Sequence, residues 1–185
     1  MTIKIILDMY SKLLLVMLLL MSLSACSSPD WRTASREPAG IAVDPSQFKD
    51  AVIEIYAADA FSWRGWFAVH TWIAIKPKDA DEYTVYEVVG WRVRSGRSAL
   101  RVYTTKNPDR YWYGARPEKL LYITGDKAEQ LIPKMEQAID NYPYADEYSV
   151  LPGPNSNTFP AWVGIQVPEL ELDLPFSAIG SGYAD

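Results

Sequence analysis

Cys26 is the only cysteine in this chain of 185 residues, and His70 is its only histidine. A chain with one thiol cannot staple itself with internal disulfides, and it cannot assemble a zinc site from Cys and His. Its fold must therefore rest on an apolar core. Hydrophobic residues make up 49% of the sequence, enough for one domain of ordinary size and too many for a disordered chain. Lys and Arg number 18 against 23 Asp and Glu, a net charge of -5. That sign argues against a nucleic-acid partner, which needs a basic stripe to displace counterions. The sequence carries no nucleotide or metal motif, so no cofactor is expected.

The segment ahead of Cys26 reads as a leader and not as part of the fold. Lys4 and Lys12 precede a short apolar run, Leu13 to Met21, too brief to span a bilayer. The run closes on Leu23-Ser24-Ala25-Cys26, which resembles a bacterial lipoprotein signal. The resemblance implies removal of residues 1–25 and lipidation of Cys26 as the new N-terminus, by di- or triacylation. A plain signal peptide or a membrane anchor is the alternative. Asp8 sits oddly in a positive leader, and a start at Met9 gives a better one. Ser27 after the lipidated residue implies, for a Gram-negative lipoprotein, periplasmic exposure and anchoring to the outer membrane. The bilayer is then a partner through Cys26, and the mature chain carries a net charge of -6. Residues 26–48, rich in Ser, Pro, Ala and Arg, read as lipid anchor and flexible tether. Residues 49–185 read as one domain with an extended C-terminal tail.

Within the domain, strands are predicted at Ala51–Tyr56, Trp66–Ile75, Tyr83–Val89, Leu100–Thr104 and Lys119–Thr124. The second strand has one face of Trp66, Ala68, His70, Trp72 and Ala74, and another of Phe67, Val69, Thr71, Ile73 and Ile75. It pairs with the third as a hairpin across Pro77–Glu82. A helix capped by Asp126 runs to about Asn141, kinked or shortened at Pro133. A second helix opens within Asn155–Thr158 and ends near Val167. The class is α+β, an antiparallel sheet with a few helices.

Three places carry candidate chemistry. His70 lies mid-strand between tryptophans, either a structural histidine or a general base. Glu87 falls on the apolar alternation of Val85 and Val89, where a carboxylate is costly unless paired. It either meets His70 across the hairpin and orients the imidazole, or points to water, or pairs with an arginine such as Arg92. The run Asn155-Ser156-Asn157-Thr158 opens the second helix. It serves as an N-cap, or it presents Ser156 where the dipole and free N–H groups favour an oxyanion. Trp91-Arg-Val-Arg-Ser-Gly-Arg97 reads as a solvated strand edge, with an anionic ligand as the alternative. The abundant Trp and Tyr either pack core and cleft or line a groove for a sugar or acyl chain.

Pro152-Gly-Pro-Asn-Ser-Asn-Thr-Phe-Pro-Ala-Trp162, Gln166-Val-Pro-Glu-Leu170, Leu174-Pro175 and Ala178-Ile-Gly180 resemble a bacterial family of uncharacterised proteins, domain-of-unknown-function family 3750. The order of a His strand, a polar residue on the next strand and a small polar run opening a helix is also similar to permuted NlpC-type papain-like enzymes, including lecithin–retinol acyltransferase-like proteins. That resemblance implies a permuted papain-like domain with His70 as base, Ser156 in the position of the nucleophilic Cys, and Glu87 as the third member. Asn155 and Asn157 flank it in the loop that supplies oxyanion donors. A Ser at this place needs a base in line during attack, because it cannot persist as an anion the way a thiolate does. The implied activity is an amide or ester hydrolase or acyltransferase of the envelope, with a peptidoglycan, peptide or lipid substrate. The rival is a non-catalytic lipoprotein that binds glycan, peptide or lipid in a degenerate cleft, or a structural partner in an envelope complex.

Overall fold

A computed structural model describes Lys12 and residues 30–184. The expected leader, Lys12 apart, and the expected lipidation of Cys26 lie outside the described residues. The chain divides into two compact units, Met1–Ala34 and Ser35–Asp185, and the second carries the sheet.

Five strands, β1 (Val52–Asp59), β2 (Val69–Lys76), β3 (Tyr83–Val88), β4 (Leu100–Thr105) and β5 (Glu118–Thr124), form one antiparallel sheet in the order β4-β3-β2-β1-β5. Three helices accompany it: α1 (Gly90–Arg94), α2 (Asp126–Asp140) and α3 (Thr158–Gln166). The α+β class and the β2–β3 hairpin follow the alternation of the sequence. Because side chains leave a strand on alternate faces, the sheet has two distinct sides. One packs Ile53, Ile55, Ile73, Ile75 and Val88 against Leu131, Met135 and Ile139 of α2 and Phe159 and Val163 of α3. The other packs Val52, Tyr56, Trp72, Ala74, Tyr83 and Val85 against Trp112, Ile41 and Phe48.

This second side corrects the tether. Residues 35–48, expected as part of a flexible tether, lie across the sheet instead. Pro38 bridges to Arg110, and buried Asp109 accepts from the N–H groups of Ile41 (2.6 Å) and Ala42 (3.0 Å). Tyr83 Oη donates to the Val43 carbonyl and Trp72 Nε1 to that of Pro108. Composition alone marks such a stretch as a loop; these long-range bonds, between residues far apart in sequence, make it part of the fold.

Local details also differ from the sequence reading. Trp66 is no strand residue but ends a 3-10 turn, Ser62–Trp66, and is 90% exposed. Asp126 is the first residue of α2, after Gly125, and makes no capping bond. Pro133 sits inside α2 and the helix continues to Asp140. Burial of Leu131, Ile132, Met135, Ala138 and Ile139 around it offsets the roughly 3 kcal/mol that an interior proline costs. The Arg92–Arg97 run is no strand edge, since α1 occupies its start and Arg92 Nε donates to the Ser98 carbonyl.

Candidate functional site

The hairpin register, with Ile73 opposite Tyr86 and Ala74 opposite Val85, continues to Trp72 opposite Glu87, so His70, two residues before Trp72, shares the Glu87 side of the sheet. His70 Nε2 lies 3.6 Å from Glu87 Oε2. That is beyond hydrogen-bond length, and this buried nitrogen has no hydrogen-bond partner among the described residues. Instead the imidazole stacks on Trp112, with ring centroids 3.5 Å apart and planes 7° apart.

Glu87 is fully buried and is held by arginines. Arg110 Nη2 grips both carboxylate oxygens, at 2.7 and 2.9 Å, and Arg101 Nη1 donates to Oε1 at 3.0 Å. Arg92, the arginine the sequence offers, is not its partner. Arg110 is fixed in turn by its Nε bond to Tyr103 Oη and lies over the Trp112 ring. Burial pushes the Glu87 carboxyl up, but His70, Arg110 and Arg101 together bring it below its usual value. The carboxylate is therefore ionised and its charge is met chiefly by guanidinium. Burial pushes the His70 pKa down, with Glu87 acting the other way and Arg110 adding to the lowering. The ring is neutral, a stacked spacer more than one half of an ion pair.

This sets a pH signature. The folded His70 resists a proton that the unfolded chain accepts near its ordinary value of 6.5. Its share of stability is thus complete above that value and falls as pH drops below it. Urea midpoints of the wild type should be flat between about pH 8 and pH 7 and decline toward about pH 5.5, and His70→Gln should remove that decline. The lowered Glu87 adds a separate loss below its ordinary value of 4.5. An unchanged slope in His70→Gln would show that the imidazole is not held neutral.

Ser156 lies elsewhere. On β2, Thr71 leaves the sheet on the side opposite to His70, and it is Thr71 that meets the α3 loop. Thr71 Oγ1 bonds the Ser156 carbonyl (2.9 Å) and Asn157 Oδ1 (3.0 Å). No hydrogen bond joins Ser156 to His70 among the described residues. The structure brings His70 and Glu87 together and leaves Ser156 out.

The asparagines are not free to serve an oxyanion. Asn155 Oδ1 accepts from the N–H groups of Asn157 (2.9 Å) and Thr158 (3.4 Å), and the Asn155 N–H donates to Thr158 Oγ1. Asn155 Nδ2 donates to the carbonyls of Val150 and Ile179. Asn157 Nδ2 donates to those of Val69 and Ile179, and Thr158 Oγ1 to that of Gly180. The polar run is thus a clamp that ties the C-terminal segment to the first residue of β2. Sequence reasoning found these residues but not their work, because a run that caps a helix and one that clips a distant strand have the same composition. It missed Arg110 and Trp112 altogether; their only signal is an aromatic-rich loop.

Two surface cavities of about 340 and 370 Å³ lie apart from both groups, one beside α3 and one between residues 40–46 and 106–109. The described residues contain no metal-binding cluster of His, Cys, Asp or Glu, and no helix among them is long and apolar enough to cross a membrane.

Fold and motifs together define a small α+β domain closed by a polar C-terminal clamp. Residues 50–183 match a family described as protein of unknown function (DUF3750). The chain belongs to that family. No curated protein and no solved structure matches it.

Proposed function

We propose that this protein is an envelope lipoprotein, anchored to the periplasmic side of the outer membrane through Cys26, whose folded domain binds a glycan, peptide or lipid and does not hydrolyse one. The observation that carries the non-catalytic reading is the contact of Thr71, and not His70, with the Ser156 loop. A serine nucleophile needs a base in line with its hydroxyl. His70 sits on the other side of β2, stacked on Trp112, and the N–H groups of Asn157 and Thr158 are committed to Asn155.

A fluorophosphonate probe should leave the wild type unlabelled. Labelling that Ser156→Ala abolishes would overturn this reading. It would establish instead the second one, a papain-like hydrolase or acyltransferase using Ser156, His70 and Glu87. One observation favours that second reading. Ser156 Oγ is the sole side-chain heteroatom of residues 155–158 with no hydrogen bond in the structure.

The anchor has its own test. Labelled palmitate should enter the wild type and not Cys26→Ala, which should accumulate as unprocessed precursor. A wild type that takes up no label refutes lipidation.

A further inference from the structure

The end of the sheet where β1 finishes and β2 begins is built of exposed aromatics. Trp66 is 90% exposed, Trp63 59% and Phe176 103%. Phe67 and Trp91 are also exposed. Chain geometry gathers them. Trp63 and Phe67 pack with centroids 5.6 Å apart. The Val69 N–H donates to the Ser177 carbonyl at 3.0 Å, which brings the chain at Phe176 to the start of β2. Tyr113 lies 5.3 Å from Phe61 and 6.0 Å from Trp91, joining α1 to the same end. Trp63, Trp66, Phe67 and Phe176 lie outside both core clusters, and single soluble domains rarely crowd so many at one end.

Two of the segments that build this end are basic. The protein is acidic, yet residues 60–68 and 88–100 hold Arg64, Arg92, Arg94 and Arg97 and no Asp or Glu. Asp59 and Glu87 border these segments, Glu87 already paired with Arg110 and Arg101, and Asp173 lies three residues before Phe176. Trp and Phe at exposed turns, flanked by arginines, are the side chains that enter the boundary between headgroups and acyl chains.

The path of the chain chooses between a bilayer and other occupants. The folded unit begins at Ser35, whose carbonyl accepts from the Gly114 N–H at 2.9 Å, and the Arg36 guanidinium lies 4.2 Å over the Tyr113 ring. The chain thus enters the domain at the aromatic end. From Cys26 to Ser35 it reaches at most roughly 30 Å. A lipid on Cys26 would keep this end within that distance of the headgroups, at high effective concentration.

We infer that the aromatic end formed by Trp63, Trp66, Phe67 and Phe176 docks on the surface of a phospholipid bilayer, so that the domain lies on the membrane and does not hang from it. The direction of approach rests on the lipid anchor proposed above; the surface itself does not.

The test uses the full protein with vesicles of phosphatidylethanolamine and phosphatidylglycerol whose acyl chains are brominated. Tryptophan emission should be quenched, and Trp63→Ser, Trp66→Ser and Phe176→Ser combined should abolish most of the quenching. Residues 27–185, produced without leader or lipid, should still partition to the vesicles. Their partitioning should weaken roughly tenfold for each aromatic removed. Far-ultraviolet circular dichroism and the urea midpoint of the triple variant should match the wild type, since the changed rings are exposed. Emission indifferent to bromine in the wild type overturns the inference, as does quenching that survives the triple substitution. So does a self-association of the wild type that Trp66→Ser abolishes, which would assign the surface to a second copy. Palmitate failing to label Cys26 while bromine still quenches would remove the anchor and leave the surface standing.

Discussion

Glu87→Ala lowers unfolding free energy by about 3–5 kcal/mol, the cost of leaving a buried guanidinium without its carboxylate. Glu87 is fully buried and Arg110 is 17% exposed, with Arg110 Nη2 reaching both carboxylate oxygens at 2.7 and 2.9 Å. Arg110→Ala should cost a similar amount by the converse route, stranding the carboxylate. Arg101 is 39% exposed, so solvent screens its share, and Arg101→Ala should cost no more than about 1 kcal/mol. His70→Ala loses packing on Trp112 without stranding a charge, because Glu87 keeps both arginines. Replacing Glu87 and Arg110 together by methionine should restore much of the loss, since a buried pair gains little over a well-packed apolar one. Equilibrium urea unfolding reads all of these. A Glu87→Ala protein within about 1 kcal/mol of wild type would mean that the carboxylate is not closed off from water.

The alternation of β1, β2 and β3 is legible because each strand is buried on both sides yet differs in what each side meets. Val85, Glu87 and Val89 share a side by period alone, and the sequence therefore points to a buried, paired carboxylate. It cannot name the pair. Arg110 comes from a loop after β4 that crosses the sheet, and no period marks where a loop lands. The same holds for residues 35–48, whose Pro and Ser content looks like a linker until Asp109 collects their N–H groups. Ser156 fails for a different reason. Order along the chain places a His strand before a helix-opening serine, but the side of the strand depends on a shift of one residue. Here it presents Thr71 to the loop in place of His70. Helix α3 is legible from its polar opening, whereas the clamp depends on contacts with Ile179 and Gly180, too far along the chain for local pattern to register.

The clamp yields the last large effect, at Gly180. This residue has φ of +94°, a conformation that strains any side chain, and a Cβ there would lie 2.8 Å from Asn155 Cγ. Gly180→Ala therefore carries two separate costs. Backbone strain contributes about 1–2 kcal/mol. Displacing the Asn155 amide strips its bonds to the Val150 and Ile179 carbonyls and to the Asn157 N–H, which adds about 1–3 kcal/mol for buried groups left unpaired. Asn155→Ala pays the second cost but removes the obstacle. The double variant should thus fall below Asn155→Ala only by the strain, with a coupling of about 1 kcal/mol or more between the two sites. Ser156→Ala, whose hydroxyl makes no bond in the clamp, should lie within about 0.5 kcal/mol of wild type. Simple additivity of Asn155→Ala and Gly180→Ala would show that the two residues do not meet, and the C-terminal segment would then have to be held by Thr158 and Asn157 alone.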